Sequence, residues 1–179
     1  MTEPTLFTVL PALAPEELRS AVWDVCQQPR WWFRQMSGMG RGLPFWKMEF
    51  NGEPAIDAVW NHARETCEGL AGAALEVQRV YANGHTYGQG GRPHQDDDRP
   101  GTYTLLWYPM PEWRHDWDGE TVFFEHTGEI ARSVRPAPNR AVLFDSRIGH
   151  AARPPSRYFV GLRVTIAFKL VTRGAAATA

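Results

Sequence analysis

Residues 157–170 read Arg-Tyr-Phe-Val-Gly-Leu-Arg-Val-Thr-Ile-Ala-Phe-Lys-Leu. In an extended chain Leu162, Val164, Ile166, Phe168 and Leu170 share one face, while Gly161, Arg163, Thr165 and Ala167 share the other. This is the pattern of a strand with one apolar face and one small, polar face built around a single guanidinium. Working outward, segments 75–82, 102–109, 121–125, 129–135 and 140–145 are likewise rich in Val, Ile, Thr, Phe and Tyr, with turn residues between them. Upstream the period changes. Pro15-Glu16-Glu17 is a helix first turn, and Leu18, Ala21, Val22 and Val25 follow at helical spacing until the helix stops near Pro29. A second helix opens at Glu53-Pro54, and Ile56, Val59, Trp60, Ala63, Cys67 and Leu70 form one apolar stripe suited to lying on a sheet. Between the helices, Ser37–Gly42 is a Gly-rich loop before a strand-like Phe45–Phe50, and the Gly/Ala-rich end, Gly174–Ala179, is expected to fray. Helices followed by many short strands predict an α+β fold, an antiparallel jelly roll packed against N-terminal helices. The expected organisation is a single domain over 1–179, with helical support over about 1–74 and a jelly-roll core over about 75–170.

Composition narrows the function. The 179 residues carry a formal net charge of −1, which gives no general electrostatic footprint for nucleic acid or membrane. Eight Trp and nine Phe serve core and sheet packing, with some to spare for an apolar pocket. Cys26 and Cys67 lack C-x-x-C spacing and fall in helical segments, which disfavours zinc and redox roles. The start of the chain has no basic region before a long apolar run, and no window is apolar enough to span a bilayer, so a cytoplasmic protein is expected.

One constellation carries chemistry. His94-Gln95-Asp96 supplies an imidazole and a carboxylate one residue apart, a spacing at which both side chains leave the same face of a strand. His150 adds a second imidazole. Two imidazoles and one carboxylate on one side of a ferrous ion leave its other positions open for O₂ and a chelating cosubstrate. Read alone, the tripeptide is more often a surface histidine beside a solvated run, here Asp96, Asp97 and Asp98, than a metal site.

Its surroundings decide. Tyr81-Ala-Asn-Gly84, His94-Gln95-Asp96, Trp117-Asp-Gly-Glu-Thr-Val-Phe-Phe124, Pro138-Asn-Arg-Ala-Val-Leu-Phe144, His150 and Arg163 follow one another in an order and spacing that resemble the Fe(II)/2-oxoglutarate-dependent dioxygenases. The resemblance is to their prolyl-4-hydroxylase-like branch and covers roughly residues 75–170. It implies a double-stranded β-helix, a cupin-like jelly roll whose open end holds the iron. It further implies Fe(II), 2-oxoglutarate and O₂ as cofactor and cosubstrates, with release of succinate and CO₂. His94, Asp96 and His150 would be the iron ligands. Arg163 would take the distal carboxylate of 2-oxoglutarate through two parallel charge-assisted hydrogen bonds. Thr165 would add a hydroxyl on the same face, and Tyr81 resembles the family tyrosine whose phenol reaches the cosubstrate. Arg157, beside Pro154-Pro155, competes with Arg163 for that carboxylate. The retained Asp96 favours oxygenation over halogenation, because related halogenases carry a small residue there.

The chain also departs from the branch. The link from Gly84 to His94 is longer and Gly-rich, which suits a mobile lid. The first Gly of the usual Gly-Gly-Glu-Thr is Asp118, and the usual cosubstrate lysine after His150 is absent, with Arg163 in its stead. These departures put a prolyl substrate in doubt. The expected reaction is hydroxylation of an unactivated C–H bond in a small molecule, an amino acid or natural-product intermediate. A peptide substrate comes second and nucleic acid third. A metal-binding cupin without 2-oxoglutarate is the reading from another class. The remaining histidines, His62, His85, His115 and His126, read as surface, loop or strand-end residues, with lining of the entrance as the lesser alternative for His115. Arg30–Arg34, Arg41, Phe45 and Trp46 read mainly as packing, with a pocket wall as the alternative.

Overall fold

The computed structural model describes residues 6–35 and 44–174. The glycine-rich Ser37–Gly42, with Arg41, and the expected frayed end from Ala175 onward lie outside the described residues. In chain order the elements are β1 (Phe7–Leu10), α1 (Glu16–Cys26), β2 (Trp32–Gln35), β3 (Phe45–Glu49), α2 (Pro54–Ala71), β4 (Leu75–His85), β5 (Thr102–Trp107), a 3-10 turn (His115–Trp117), β6 (Thr121–Phe124), β7 (Ile130–Val134), β8 (Ala141–Asp145), β9 (His150–Ala152) and β10 (Arg163–Thr172). A seven-stranded sheet runs β1-β8-β5-β10-β4-β3-β2, and a three-stranded sheet runs β7-β6-β9. All strand pairs are antiparallel. The two sheets enclose a cavity between them, while α2 covers the outer face of the large sheet, where Trp60 meets Phe168 at 6.2 Å between rings. This is the expected α+β jelly roll on helices.

Strand β10 is the spine of the fold. It pairs with β4 from Arg163↔His85 to Thr172↔Leu75 and with β5 from Ile166↔Trp107 to Val171↔Thr102. Its alternation holds: Val164, Ile166, Phe168 and Leu170 are buried in the main core, and Arg163, Thr165 and Ala167 face the inter-sheet cavity. The strand begins later than the sequence predicts. Residues 157–162 leave the ladder, because Pro154 and Pro155 cannot donate and Phe159 turns aside to pack on Trp113 and Trp117 at 4.7 and 5.0 Å. Tyr158 and Val160 are left exposed.

The N-terminal part is not purely helical support. It contributes β1, β2 and β3 to the large sheet. β1 and β2 have only four residues each, too few for alternation to show in sequence. In β2, Trp32 and Phe33 are exposed on the sheet edge rather than forming core or pocket wall, while Phe45 in β3 does line the cavity. Both helices are punctuated as expected. Glu16 and Glu17 open α1 after Pro15, and α2 has Pro54 in its first turn and ends at Gly72 in the left-handed region, φ 66°. Their buried faces differ slightly from the expected ones. In α1 the buried set is Arg19, Val22, Val25 and Cys26, and Ala21 is exposed. Arg19 is tolerated there because it donates to the Pro109 carbonyl at 2.7 Å and pairs with Glu16. In α2 the stripe holds except Leu70, which lies near the helix end and is exposed. Asn139, at φ 64°, accepts from Leu13 N, Ala14 N and Trp107 Nε1 and donates to the Ala14 carbonyl, which ties the entry to α1 onto the large sheet. Cys26 and Cys67 are both free and buried, and burial pushes their thiols up to about 12, which leaves them unreactive. No helix among the described residues is long and apolar enough to cross a membrane.

Candidate active site

His94 and His150 meet through the backbone. Each donates its N–H to the other's carbonyl, at 3.0 and 2.9 Å, in an isolated bridge that continues β9. His94 is therefore not in a regular strand, and Asp96 sits in a bend whose N–H donates to the Ser146 carbonyl at 3.0 Å. The one-residue spacing works through this bridge and bend rather than through a strand face. The imidazole rings lie 4.5 Å apart. His94 Nδ1 stands 2.8 Å from the Arg92 carbonyl and His150 Nδ1 stands 3.0 Å from the Ile148 carbonyl. Carbonyls accept only, so each Nδ1 carries the proton and each Nε2 presents its lone pair. Those Nε2 atoms lie 3.5 Å from the Asp96 carboxylate oxygens. One donor atom from each of the three residues falls within 4.8 Å of the other two. Two tautomer-fixed nitrogens and a carboxylate that converge in this way fit a small divalent ion such as Fe(II).

Asp96 is held from behind. Its Oδ2 accepts from the Thr104 hydroxyl at 2.7 Å and from the Lys169 ammonium, which also donates to Thr104 Oγ1 at 3.2 Å. Burial would raise this carboxyl, but Lys169 and the two imidazoles outweigh it and hold Asp96 far below the usual carboxylate range. Burial also lowers the His150 imidazole to about 4 against the pull of Asp96. At His94 the Asp96 carboxylate and the Arg92 carbonyl overcome burial and raise the ring above its ordinary value. Sequence reasoning misses Lys169, although its signal is present in the chain. It is the next residue after Arg163, Thr165 and Ala167 on the same strand face.

From this centre a cavity of about 210 Å³ runs between the sheets. Tyr81, Thr165 and Arg163 all line it. Arg163 is fully buried; its Nε donates to the Gly119 carbonyl at 2.6 Å and its Nη2 to the Thr121 hydroxyl at 3.1 Å. Its guanidinium carbon is 5.5 Å from the Tyr108 ring. Gly119 is required there: a Cβ would stand 3.1 Å from Arg163 Cδ and 3.0 Å from the Trp113 ring, at a backbone φ of 77°. Arg163 Nη1, Asn83 Oδ1 and both ring nitrogens of His85 are buried without a hydrogen-bond partner. Glu120 acts on this guanidinium only from beyond ion-pair distance, and a buried guanidinium without a paired carboxylate is costly, so a carboxylate-bearing ligand entering this cavity relieves that cost. The donor set therefore fits 2-oxoglutarate as well as the metal. Arg157, the competing cation, is exposed on the 153–162 loop and does not line the cavity.

His85 lies at a strand end, as the sequence suggests, but it is not a bland residue: it is the last residue of β4, is buried, and packs on the Phe45 ring at 4.6 Å. Burial, with Arg163 adding repulsion, lowers its imidazole to about 3. The folded chain thus keeps His85 neutral where an unfolded chain, with an ordinary value near 6.5, takes up a proton. The unfolded state binds more protons between those values, so this contribution to stability is present at neutral pH and is lost as pH falls from about 6.5 toward 3. The expected slope is about 1.4 kcal/mol per pH unit in that window. Denaturant unfolding at several pH values should show the slope shallower by about that amount in His85→Gln; identical slopes would refute it. His115 is exposed on the 3-10 turn. The glycine-rich link before His94 is fastened rather than free: Gly91 N donates to the Ala152 carbonyl at 3.0 Å, and a Cβ at Gly90 would meet that carbonyl oxygen at 2.8 Å.

Comparison with known proteins defines the class. Residues 81–168 match the model of the 2OG-Fe(II) oxygenase superfamily. No curated protein matches the chain in sequence. Among solved structures, a Pseudomonas putida prolyl-4-hydroxylase is 19% identical with a TM-score of 0.70, covering 95% of this chain and 94% of that one. A Trichoplax adhaerens prolyl hydroxylase in complex with a hypoxia-inducible-factor peptide fragment is 16% identical with a TM-score of 0.71, covering 93% and 83%. The non-heme alpha-ketoglutarate-dependent carbocyclase SnoK from nogalamycin biosynthesis is 13% identical with a TM-score of 0.70, covering 94% and 80%. The chain belongs to the 2OG-Fe(II) oxygenase superfamily and has the fold of its prolyl-4-hydroxylase-like branch. It is a 2-oxoglutarate-dependent non-haem iron dioxygenase that uses Fe(II), 2-oxoglutarate and O₂.

Proposed function

We propose that this oxygenase, acting as one domain, hydroxylates an unactivated C–H bond of a small molecule such as an amino acid or a natural-product intermediate, in the cytoplasm. The observation that carries the reading is the single cavity that joins His94, Asp96 and His150 to the unpartnered Nη1 of buried Arg163. In this reading His94, Asp96 and His150 hold the iron, and Arg163 holds the distal carboxylate of 2-oxoglutarate, flanked by Thr165. Bound Fe(II) with 2-oxoglutarate supplies O₂ activation, and succinate and CO₂ are released. The rest of the work belongs to the protein. Lys169 and Thr104 fix the Asp96 carboxylate, the Arg92 and Ile148 carbonyls fix the imidazole tautomers, and the apposed sheets exclude water from the cosubstrate.

A peptide substrate is the second reading, and one feature favours it. A wide groove of about 1110 Å³ shares His94 and Gln95 with the cavity and is lined by Phe123, Phe124 and Ile148. Screening succinate formation across amino acids, small metabolites and peptides separates the two. Stimulation by free small molecules is expected; stimulation by peptides alone would overturn the small-molecule reading.

A further inference from the structure

Four cations stand on the cavity side of the large sheet, and only two of them have a carboxylate. The strand register sets Arg79 opposite Lys169, Tyr81 opposite Ala167, and Lys47 opposite Asn83. As a result Lys47, Arg79 and Lys169 gather around one phenol, at 4.6, 5.2 and 5.7 Å from the Tyr81 ring. Lys169 is spent on Asp96, and Lys47 pairs with Glu49. Arg163 belongs to the far end of the cavity. Among the described residues Arg79 has no carboxylate within ion-pair distance. Like charges set directly across a strand pair, as Arg79 and Lys169 are, oppose folding. Arg79 is exposed at the mouth of the cavity, so solvent screens this repulsion and leaves its guanidinium open to an anion arriving from outside.

This anion is not the cosubstrate's distal carboxylate. Arg79 pairs with Lys169 and His85 with Arg163, so six residues of β4 separate the two cations. At about 3.3 Å per residue those backbone positions are roughly 20 Å apart, and a cosubstrate whose distal carboxylate is on Arg163 has its other end on the metal, so it leaves Arg79 free. Arg79 instead sits at the Asp96 end, where Lys169 reaches the carboxylate, so an anion held there lies beside the proposed metal centre rather than at Arg163.

We infer that Arg79, assisted by Lys47 over the Tyr81 ring, binds an anionic group of the primary substrate, making this an oxygenase of acidic small molecules. The inference rests on the small-molecule reading above. The anion is a carboxylate or a phosphate, and Arg79 offers either a forked, two-point contact.

The test uses the full chain loaded with Mn(II) and saturating 2-oxoglutarate, which fills the Arg163 end. Acetate and inorganic phosphate are titrated separately at constant ionic strength while the melting temperature is followed. A saturable rise with one of them, and at least a tenfold weaker response in Arg79→Gln with unchanged 2-oxoglutarate affinity, is expected. The anion that acts names the substrate group. No saturable rise with either anion, or an equal response in Arg79→Gln, overturns the inference. So does an Arg79→Gln variant that loses 2-oxoglutarate affinity, since that assigns Arg79 to the cosubstrate. The succinate screen is read separately: if peptides alone stimulate it, the small-molecule reading fails even where anion binding at Arg79 stands.

Discussion

Succinate formation is expected to fall below detection when His94, Asp96 or His150 is replaced by alanine. Each contributes one of the three donors that converge within 4.8 Å, and the chain supplies no fourth donor at that point among the described residues. Outer partners that merely orient metal ligands are worth roughly 10–100-fold in affinity, so loss of a direct donor exceeds that. Asp96→Ala has a second consequence. It strands the Lys169 ammonium, which is almost fully buried against the carboxylate. Breaking one side of a buried ion pair costs about 3–5 kcal/mol, so this variant should also melt well below the wild type. Asp96→Asn keeps the shape and the Thr104 hydrogen bond, and it separates the loss of charge from the loss of fold. Wild-type succinate formation in any of the three alanine variants would contradict the assignment.

The second large effect falls on the cosubstrate. Arg163→Met keeps most of the buried volume and removes the guanidinium. A hydrogen bond to a charged group is worth about 1.5–3 kcal/mol, so the concentration of 2-oxoglutarate needed for half-maximal turnover should rise roughly 10- to 150-fold. Arg163→Lys should recover only part of this, because an ammonium on a flexible stem cannot replace the fork that reaches Gly119, Thr121 and a ligand together. Arg157→Ala should leave the titration unchanged, since that side chain is exposed away from the cavity. An unaltered 2-oxoglutarate titration in Arg163→Met would remove Arg163 from the cosubstrate site.

Much of the fold and site is legible in the sequence, for identifiable reasons. A period of two over 162–170 exposes which side chains share the cavity, so the amino-acid order alone places Arg163 and Thr165 together. His94, Asp96 and His150 are chemically distinctive residue types, and their order along the chain is readable before any fold is known. What escapes is what needs tertiary pairing to exist. The bridge between His94 and His150 is one pair of backbone hydrogen bonds across the fold, with no local signature. β9 has three residues, and β1 and β2 have four each, below the length at which alternation can be read. His85 has the sequence context of an ordinary loop histidine, yet β4 runs through Gly84 and buries it beside Arg163. The opposite error, extending β10 back to residue 157, arises from apolar residues that serve a separate aromatic cluster with Trp113 and Trp117. Arg79 and Lys47 are unremarkable as single residues; only the register of β3, β4 and β10 brings them to the same ring.

The central claim is that His94, Asp96 and His150 hold iron at one end of a cavity whose other end, Arg163, holds 2-oxoglutarate. Anaerobic addition of Fe(II) and 2-oxoglutarate, followed by visible absorption, tests it without a substrate. A metal-to-ligand charge-transfer band should appear only when both are present. It should vanish in His150→Ala and require roughly 10- to 150-fold more 2-oxoglutarate in Arg163→Met. No band in the wild type, or a band with unchanged titration in both variants, would contradict the account.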